Sequence, residues 1–227
     1  GHRAPGAREE RGSDTMREID LTARSDESTR ELLAPAVRAL KDGSLVILPT
    51  TTYYALSADA TNPDAVRRVF SAKKRDSSKP LVVLVDSLGM MKQFVSEIPA
   101  TVKDLEWSLG SKGLSYVLRA SDRLPTEVTA GTGTVAVRVE RNEVILEVLS
   151  QLGVPIVAPS ANTEGADPPR RIDEAVAPLR DWIEVAVRWY PATATAASTI
   201  VDLTGDSFSI IREGTIPAAE IEEVLGG

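Results

Sequence analysis

Short, continuously apolar segments separated by helical patterns limit most strongly how this chain can fold. Leu45–Leu48 and Leu81–Val85 contain no polar residue, which is typical of strands buried on both faces of a sheet. Asn62-Pro63 lies between them and has the pattern of a helix start, an N-cap residue followed by proline. Because strands and helices mix along the whole chain without a repeat or linker, the sequence predicts one α/β domain with a mixed sheet.

The other elements are predicted from apolar periodicity and from turn residues. The predicted helices are Leu32–Leu40 (ending before Gly43), Asn62 to about Lys73, Asp86 or Ser87 to Phe94, Glu143–Leu152, Ile172–Ala177 and a closing helix opened by Pro217. The further predicted strands are Leu114–Arg119, Thr134–Val139, Val154–Ala158, Glu184–Trp189, Ser198–Leu203 and Phe208–Arg212.

The composition excludes several kinds of active site. The 227 residues include no cysteine, and the one histidine, His2, lies in a polar segment that resembles a tag remnant. Mechanisms based on a cysteine, or on histidine as a base or metal ligand, are therefore not expected. Residues 1–15 are predicted to form a flexible extension and residues 16–227 the domain. No segment approaches the ~18 apolar residues of a membrane span, and no signal peptide is evident, so a cytoplasmic protein is expected.

Positive charge is concentrated in one segment of an acidic protein. Residues 67–79 contain six basic side chains and one acidic one, a local charge of +5, although the whole chain carries −7. The remainder of the chain therefore carries −12. One interpretation is a solvated helix end, where basic side chains interact well with the exposed carbonyl groups. The other is an anion site, since Lys73 and Arg75 lie where the helix gives way to a loop.

Three motifs carry no function. The chain has no GxxxxGK[ST] loop. Residues 131–136, GTGTVA, fit the spacing of a dinucleotide-binding motif, but Thr134–Val139 alternates like a strand where that motif requires a helix. We expect the two glycines to make a turn. Glu164 and Asp167 share a loop, and two acids alone are more typical of a surface than of a metal site.

Two polar segments directly follow predicted strands. Residues 49–56 read PTTTYYAL and residues 158–162 read APSAN. Ligands in open α/β sheets bind outside the carboxyl ends of strands, and Ser160 and Asn162 offer short side chains and backbone N–H groups to phosphate oxygens. Threonines that only extend a strand and a simple turn are the alternative interpretations.

Together these segments resemble a known family. Over about residues 28–216 the chain contains, in order, PTTTYYAL, KKRDSSKPL, TVAVRV, PSAN and STIVDLTG…IIREG. This order is similar to the pattern of the YrdC-type threonylcarbamoyl-AMP synthase family in its short, single-domain form. The resemblance implies a twisted, mixed sheet with flanking helices and a deep basic cavity. It also implies that L-threonine, bicarbonate and ATP are joined into threonylcarbamoyl-adenylate and pyrophosphate, which supplies the downstream machinery that makes threonylcarbamoyladenosine in tRNA.

The resemblance also implies roles for individual residues. Lys73 and Arg75 would be catalytic. The ATP-binding residues would be Lys73, Arg75, Ser160, Asn162, Ser198 and Arg212, with Thr199 beside them. The residues for threonine and bicarbonate would be Thr50, Thr52, Tyr54, Ser115 and Arg138. Mg²⁺ is expected to enter with ATP, and no residue is predicted to hold it. Nucleotidyl transfer needs positioning and charge neutralisation more than a covalent nucleophile, which agrees with the composition.

The chain departs from the family pattern at several positions. Thr51 replaces an acidic residue, Ala55 a glycine, Leu84 a histidine and Glu140 a proline, and Ser111 begins a loop that has lost both of the family's prolines. PTTTYYAL and IIREG also resemble the YciO-type paralogues. These differences leave the substrate and the catalytic efficiency open more than the fold.

Two other functions stay open at this point. An RNA-binding module would use the basic segment to contact phosphates, although only 4% of the residues are aromatic, which favours a small anion pocket over a nucleic-acid surface. A carbamoyl-adenylate-forming enzyme would use carbamoyl phosphate in place of threonine. The substrate that yields pyrophosphate distinguishes the two enzymes.

Overall fold

The structure is a computed structural model that describes residues 16–23, 28–194 and 196–226. The predicted N-terminal extension, residues 1–15, lies outside the described residues. The described strands are β1 Arg17–Asp20, β2 Leu45–Pro49, β3 Tyr54–Asp59, β4 Val82–Val85, β5 Leu114–Arg119, β6 Thr134–Val139, β7 Ile156–Val157, β8 Ile183–Arg188, β9 Thr199–Asp202 and β10 Ser209–Arg212. The described helices are α1 Thr29–Lys41, α2 Pro63–Lys73, α3 Leu88–Phe94, α4 Ala100–Leu109, α5 Thr126–Thr129, α6 Glu143–Leu152, α7 Ile172–Val176 and α8 Ala218–Gly226, with a short 3₁₀ helix at Gly110–Lys112.

The described strands form one mixed sheet, as the sequence predicts. Their order is β1-β8-β2-β3-β7-β4-β6-β5-β9-β10. The pairs β1–β8, β2–β8, β4–β6 and β5–β9 are parallel. The other neighbouring pairs are antiparallel. The continuously apolar strands, β2 and β4, are third and sixth in this order, and β2 is buried along its whole length, because both faces of the sheet are covered.

The helices begin and end at residues that satisfy their free backbone groups. The Asn62 side chain accepts hydrogen bonds from the N–H groups of Asp64 and Ala65 (3.0 and 3.2 Å) at the start of α2. Asn142 caps α6 in the same way, and Gly153 ends it with a φ of +77°, which a glycine adopts without strain. The apolar faces of α1 and α6 pack together on the sheet. Each fully buried leucine or valine in such a layer contributes roughly 1.5–3 kcal/mol.

Several elements are not predicted by the sequence. The segment 49–56 predicts a loop at Tyr54, whereas β3 begins at this residue and pairs with β2 across a four-residue turn. The β3 sequence, YALSAD, is short of the β-branched residues that mark strands. The sequence also does not predict β1, α4 or α5. Helix α4 starts without a side-chain cap. The glycines of GTGTVA, Gly131 and Gly133, lie in the turn before β6 with φ of +73°, which confirms the prediction of a turn.

None of the described helices combines the length and the apolar character needed to cross a bilayer.

Candidate functional site

One cavity, of about 190 Å³, collects side chains from segments that are distant in the sequence. Three arginines line it, Arg75, Arg138 and Arg212. Four hydroxyl side chains that the sequence predicted also line it: Thr50, Thr52, Ser160 and Ser198. Among its described lining residues there is no carboxylate. An anionic ligand matches this lining, because guanidinium and hydroxyl groups both donate hydrogen bonds to anionic oxygens.

The turn between β2 and β3 forms one wall and is shaped by Thr50. The Thr50 hydroxyl accepts hydrogen bonds from the N–H groups of Thr52 and Tyr53 (3.1 and 3.2 Å) and donates to the Tyr53 carbonyl (2.7 Å). Thr50 is therefore occupied within the turn. Thr52 Oγ1 accepts from Arg138 Nη1 at 3.1 Å, so the turn is joined directly to β6.

The end of α2 directs two basic residues to opposite sides of a loop. α2 ends at Lys73, and Lys74 follows in the left-handed conformation with a φ of +52°. Arg75 then enters the cavity, where its Nη2 donates to the Pro80 carbonyl at 3.2 Å. Its Nε is buried and has no hydrogen-bond partner among the described residues. Arg75 thus brings its charge to the cavity while making few hydrogen bonds to the described residues.

Lys73 does not line the cavity and lies behind the Pro159–Asn162 loop. It is 3% exposed, and its Nζ donates to the backbone carbonyls of Ser160 and Asn162. Burial, and then the charge of Arg75, lower the pKa of the Lys73 amine to about 8, although Glu164 acts in the opposite direction. In this structure Lys73 holds the loop, and the loop in turn presents Ser160 to the cavity.

Asn162 supports the same loop from within. Its side-chain amide donates to the carbonyls of Thr163 and Ala166 (3.1 and 2.7 Å), and its Oδ1 accepts from the Ser160 hydroxyl. The predicted pair is therefore brought together, but only Ser160 lines the cavity. The loop continues the pairing with β3, since the Ala161 N–H donates to the Tyr54 carbonyl at 2.8 Å.

Ser198 and Arg212 form the opposite wall. Arg212 donates through Nε and Nη2 to the Ser198 carbonyl (3.1 and 2.8 Å). Ser115 is fully buried and donates to Ser198 Oγ at 2.9 Å, so it supports the wall without lining it. Burial, and then the positive charge of Arg138, lower the pKa of Arg212. Two guanidinium groups that disfavour each other in one cavity would both be stabilised by an anion.

Tyr54 and Thr199 lie outside this cavity. The Tyr54 hydroxyl donates to the Trp189 carbonyl and accepts from the Trp189 N–H (2.8 and 2.9 Å). Burial raises the pKa of Tyr54. The Thr199 hydroxyl donates to the Ile216 carbonyl at 2.7 Å and accepts from the Gly214 N–H at 2.9 Å. Both side chains therefore hold backbone segments together.

Most of the basic segment, residues 67–79, lies on the protein surface, as the interpretation of a solvated helix end predicts. Arg67 pairs with Asp64 and Glu127, and Lys79 pairs with Glu164. Glu164 is thus part of a surface ion pair, in agreement with its assignment as a surface acid. The interpretation of an anion site applies to Arg75, where the chain turns into the cavity.

Sequence reasoning missed one charged group beside the cavity. The sequence predicts no role for Glu140, which stands where the family pattern has a proline. It is 1% exposed, and its Oε2 accepts from Arg138 Nη2 at 2.7 Å. The available signal was an acidic residue directly after the apolar strand that carries Arg138. Ala55 lines the cavity and Leu84 is fully buried in β4, while Ser111 lies in the 3₁₀ helix.

The described part of the chain thus combines a mixed α/β sheet with a cavity that three arginines and several hydroxyl groups line. The Sua5/YciO/YrdC family model, described as "Telomere recombination", matches residues 38–214. The chain belongs to this family. This confirms the resemblance that its motifs show.

Individual relatives agree with the family assignment. A relative from Mycobacterium tuberculosis is 35% identical over 194 residues, which are 86% of this chain and 89% of the relative. A threonylcarbamoyl-AMP synthase from Pyrococcus abyssi is 33% identical over 187 residues, 82% of this chain and 55% of that protein.

Solved structures show the same fold. The structure of P. abyssi Sua5 complexed with L-threonine is 30% identical with a TM-score of 0.84, covering 93% of this chain and 61% of that one. Escherichia coli YciO is 18% identical with a TM-score of 0.75, covering 88% of this chain and 95% of that one, and this likeness concerns the fold alone. This chain therefore spans a little over half the length of the P. abyssi protein.

Proposed function

We propose that this protein is a threonylcarbamoyl-AMP synthase, a nucleotidyltransferase. It would join L-threonine, bicarbonate and ATP into threonylcarbamoyl-adenylate, with pyrophosphate as the second product. The product would pass in the cytoplasm to the machinery that forms threonylcarbamoyladenosine in tRNA. Family membership and the P. abyssi synthase support the activity. The observation that carries the proposal is the cavity in which Arg75, Arg138 and Arg212 meet.

The arrangement of the cavity suggests how its residues divide the work. Arg75 and Arg212 have no carboxylate partner among the described residues, so their full charge is available to the phosphates of ATP. Ser160 and Ser198 would hydrogen-bond the nucleotide. Lys73 would act through the loop that it holds.

The end of the cavity that would bind threonine, called here its amino-acid end, would lie at the β2–β3 turn. Thr52 and Arg138 are hydrogen-bonded to each other there and both line the cavity. The lining residues that the structure describes include no carboxylate and therefore do not fit a resident Mg²⁺, which prefers carboxylate and phosphate oxygens. Mg²⁺ would enter as part of the substrate, bound to the phosphates of ATP.

The proposed chemistry proceeds without a covalent enzyme intermediate. The neutral threonine amine forms a C–N bond to the carbon of bicarbonate, and the departing hydroxide takes a proton from the nitrogen and leaves as water, which gives a carbamate. A carbamate oxygen then forms a bond to the α-phosphorus of ATP, and the bond to pyrophosphate breaks. Charge that develops on the transferred and leaving groups would be stabilised by arginines already fixed in place, a kind of stabilisation that typically contributes several kcal/mol.

Product identification tests the proposal directly. Purified protein is incubated with ATP, Mg²⁺ and bicarbonate and with each amino acid in turn, and pyrophosphate and the mass of the adenylate are measured. Threonine-dependent pyrophosphate with the mass of threonylcarbamoyl-adenylate is the expected result. Pyrophosphate formed with carbamoyl phosphate and not with threonine would instead identify the carbamoyl-adenylate enzyme.

The RNA-binding alternative has less support from the basic segment. Two of its basic side chains, Arg67 and Lys79, are engaged in ion pairs, and Lys73 is buried. This leaves few free cations for a phosphate backbone, whose binding strength depends on the number of phosphates neutralised. Steeply salt-dependent RNA binding without adenylate formation would overturn the synthase proposal.

A further inference from the structure

Glu140 is a buried carboxylate that accepts hydrogen bonds on both of its oxygens. Its Oε1 accepts from the backbone N–H groups of Thr51, Arg141 and Asn142 (3.2, 2.8 and 3.1 Å) and from the Thr51 hydroxyl. Its Oε2 accepts from Arg138 Nη2 at 2.7 Å. One side chain therefore connects the β2–β3 turn, the chain after β6 and an arginine of the cavity.

This carboxylate fixes the direction of the Arg138 guanidinium group. Arg138 Nη2 is bound by Glu140, and Arg138 Nη1 is bound by Thr52. Among its other donors, Nε is buried without a partner among the described residues. Two constraints on a planar group determine its orientation, so Arg138 lines the cavity in a defined pose and still has unused N–H groups among its five.

The ion pair also distinguishes Arg138 from the other two arginines of the cavity. Arg138 and Glu140 together carry no net charge, and their side chains are 6% and 0% exposed. Arg75 and Arg212 hydrogen-bond only to carbonyl and hydroxyl oxygens among the described residues. A neutralised pair adds little attraction for a triphosphate but still gives directed hydrogen bonds to a singly charged carboxylate or carbamate.

Glu140 and Thr51 are both positions at which the chain departs from the family pattern, and the structure places them in contact. The turn that carries Thr50 and Thr52 is thereby tied to the same carboxylate that orients Arg138. Both walls of this end of the cavity then depend on a single side chain.

We propose that Glu140 is a positioning residue that sets the amino-acid end of the site, by orienting Arg138 and anchoring the β2–β3 turn through Thr51. This inference rests on the proposed synthase function. Glu140 touches no substrate in this account. Its effect reaches the amino acid through the two groups that it holds, and among the described residues it makes no hydrogen bond to Arg75 or Arg212, the arginines assigned to the nucleotide.

Steady-state kinetics of Glu140→Gln tests the proposal. The glutamine side chain is neutral and has a single acceptor oxygen. It can therefore accept hydrogen bonds from the turn or from Arg138, but it cannot replace both oxygens of the carboxylate or its negative charge. We expect the KM for threonine to rise about tenfold or more, because a charge-assisted bond is lost, while the KM for ATP stays within about twofold. Thr51→Val, which keeps the Glu140–Arg138 pair, should raise the threonine KM in the same direction by a smaller factor, and it serves as the test if Glu140→Gln does not fold.

Glu106→Gln is the matched control. Glu106 is also a buried carboxylate, bound by Arg141 and by the Tyr116 hydroxyl (both 2.8 Å), but among the described residues it hydrogen-bonds neither to Arg138 nor to the β2–β3 turn. It should lose stability in urea unfolding without changing the threonine KM. With an active wild type, two results would overturn the inference. One is an equal increase in the KM for ATP and for threonine, and the other is an unchanged threonine KM in the Glu140 and Thr51 variants that fold. A wild type that makes no threonine-dependent adenylate would overturn the proposed function and this inference with it.

Discussion

Replacing Arg75 by alanine should remove most of the activity and little of the stability. Within the described part of the chain the side chain makes one hydrogen bond, 3.2 Å long, to the Pro80 carbonyl. Its Nε is buried without a partner among the described residues. Truncation therefore costs the fold one weak bond and removes an unsatisfied donor, so we expect the free energy of unfolding to change by less than about 1 kcal/mol. Loss of one directed donor to a developing negative charge should lower kcat/KM by about 10²–10³.

The neighbouring Lys74 provides a matched control for charge. Lys74→Gln removes one positive charge a single residue away, on an exposed side chain, and leaves the left-handed backbone with a similar residue. Pyrophosphate release with threonine and ATP should be near wild type in Lys74→Gln and nearly absent in Arg75→Ala. Urea unfolding of both variants separates activity from folding. An Arg75→Ala protein within about threefold of wild-type kcat/KM would refute the role given to this arginine.

Three further predictions concern supporting residues. Because burial lowers the pKa of Lys73 from 10.5 to about 8, the unfolded chain binds more protons than the folded one between these values. Wild-type stability should therefore rise by about 2 kcal/mol relative to Lys73→Met from pH 7.5 to 9.5, and a flat difference would contradict the shift. Gly214→Ala places a Cβ 2.1 Å from the Ala197 carbonyl oxygen and should cost about 3 kcal/mol in urea unfolding; a neutral effect would show that this approach relaxes. Tyr54→Phe leaves the Trp189 N–H and carbonyl unpaired and should cost about 1–3 kcal/mol with kcat retained, whereas lost activity at unchanged stability would assign Tyr54 to the substrate.

Strands β2 and β4 could be predicted from the sequence because buried strands consist of apolar residues. Strands β2 and β4 are apolar at every position, since both faces of the sheet are covered, and a continuously apolar segment this short is typical of a buried strand. Strand β3 is just as buried but contains small and polar residues, and its pairing with β2 depends on a turn held by the Thr50 hydroxyl. A tertiary contact of this kind leaves no period in the sequence.

The same distinction applies to the site. Arg75 and Ser160 could be proposed from local motifs, because each follows an element whose end is visible in the sequence. The roles of Lys73 and Asn162 could not be separated from theirs, because all four are polar residues at similar positions. Only the hydrogen bonds from Lys73 to the loop carbonyls show that Lys73 acts from behind the cavity wall.

The spacing of Lys73 and Arg75 follows from this division. Two residues that flank a left-handed position leave the chain in different directions, since the intervening φ of +52° at Lys74 reverses its course. Lys73 can then remain on the buried face of α2 and reach the Pro159–Asn162 loop, while Arg75 enters the cavity that this loop encloses. With no residue between them, both would share the helical conformation and Arg75 would follow α2 along the protein surface. The two residues therefore act together. The buried amine of Lys73 fixes the Pro159–Asn162 loop, and the guanidinium group of Arg75 lines the cavity that this loop helps to enclose.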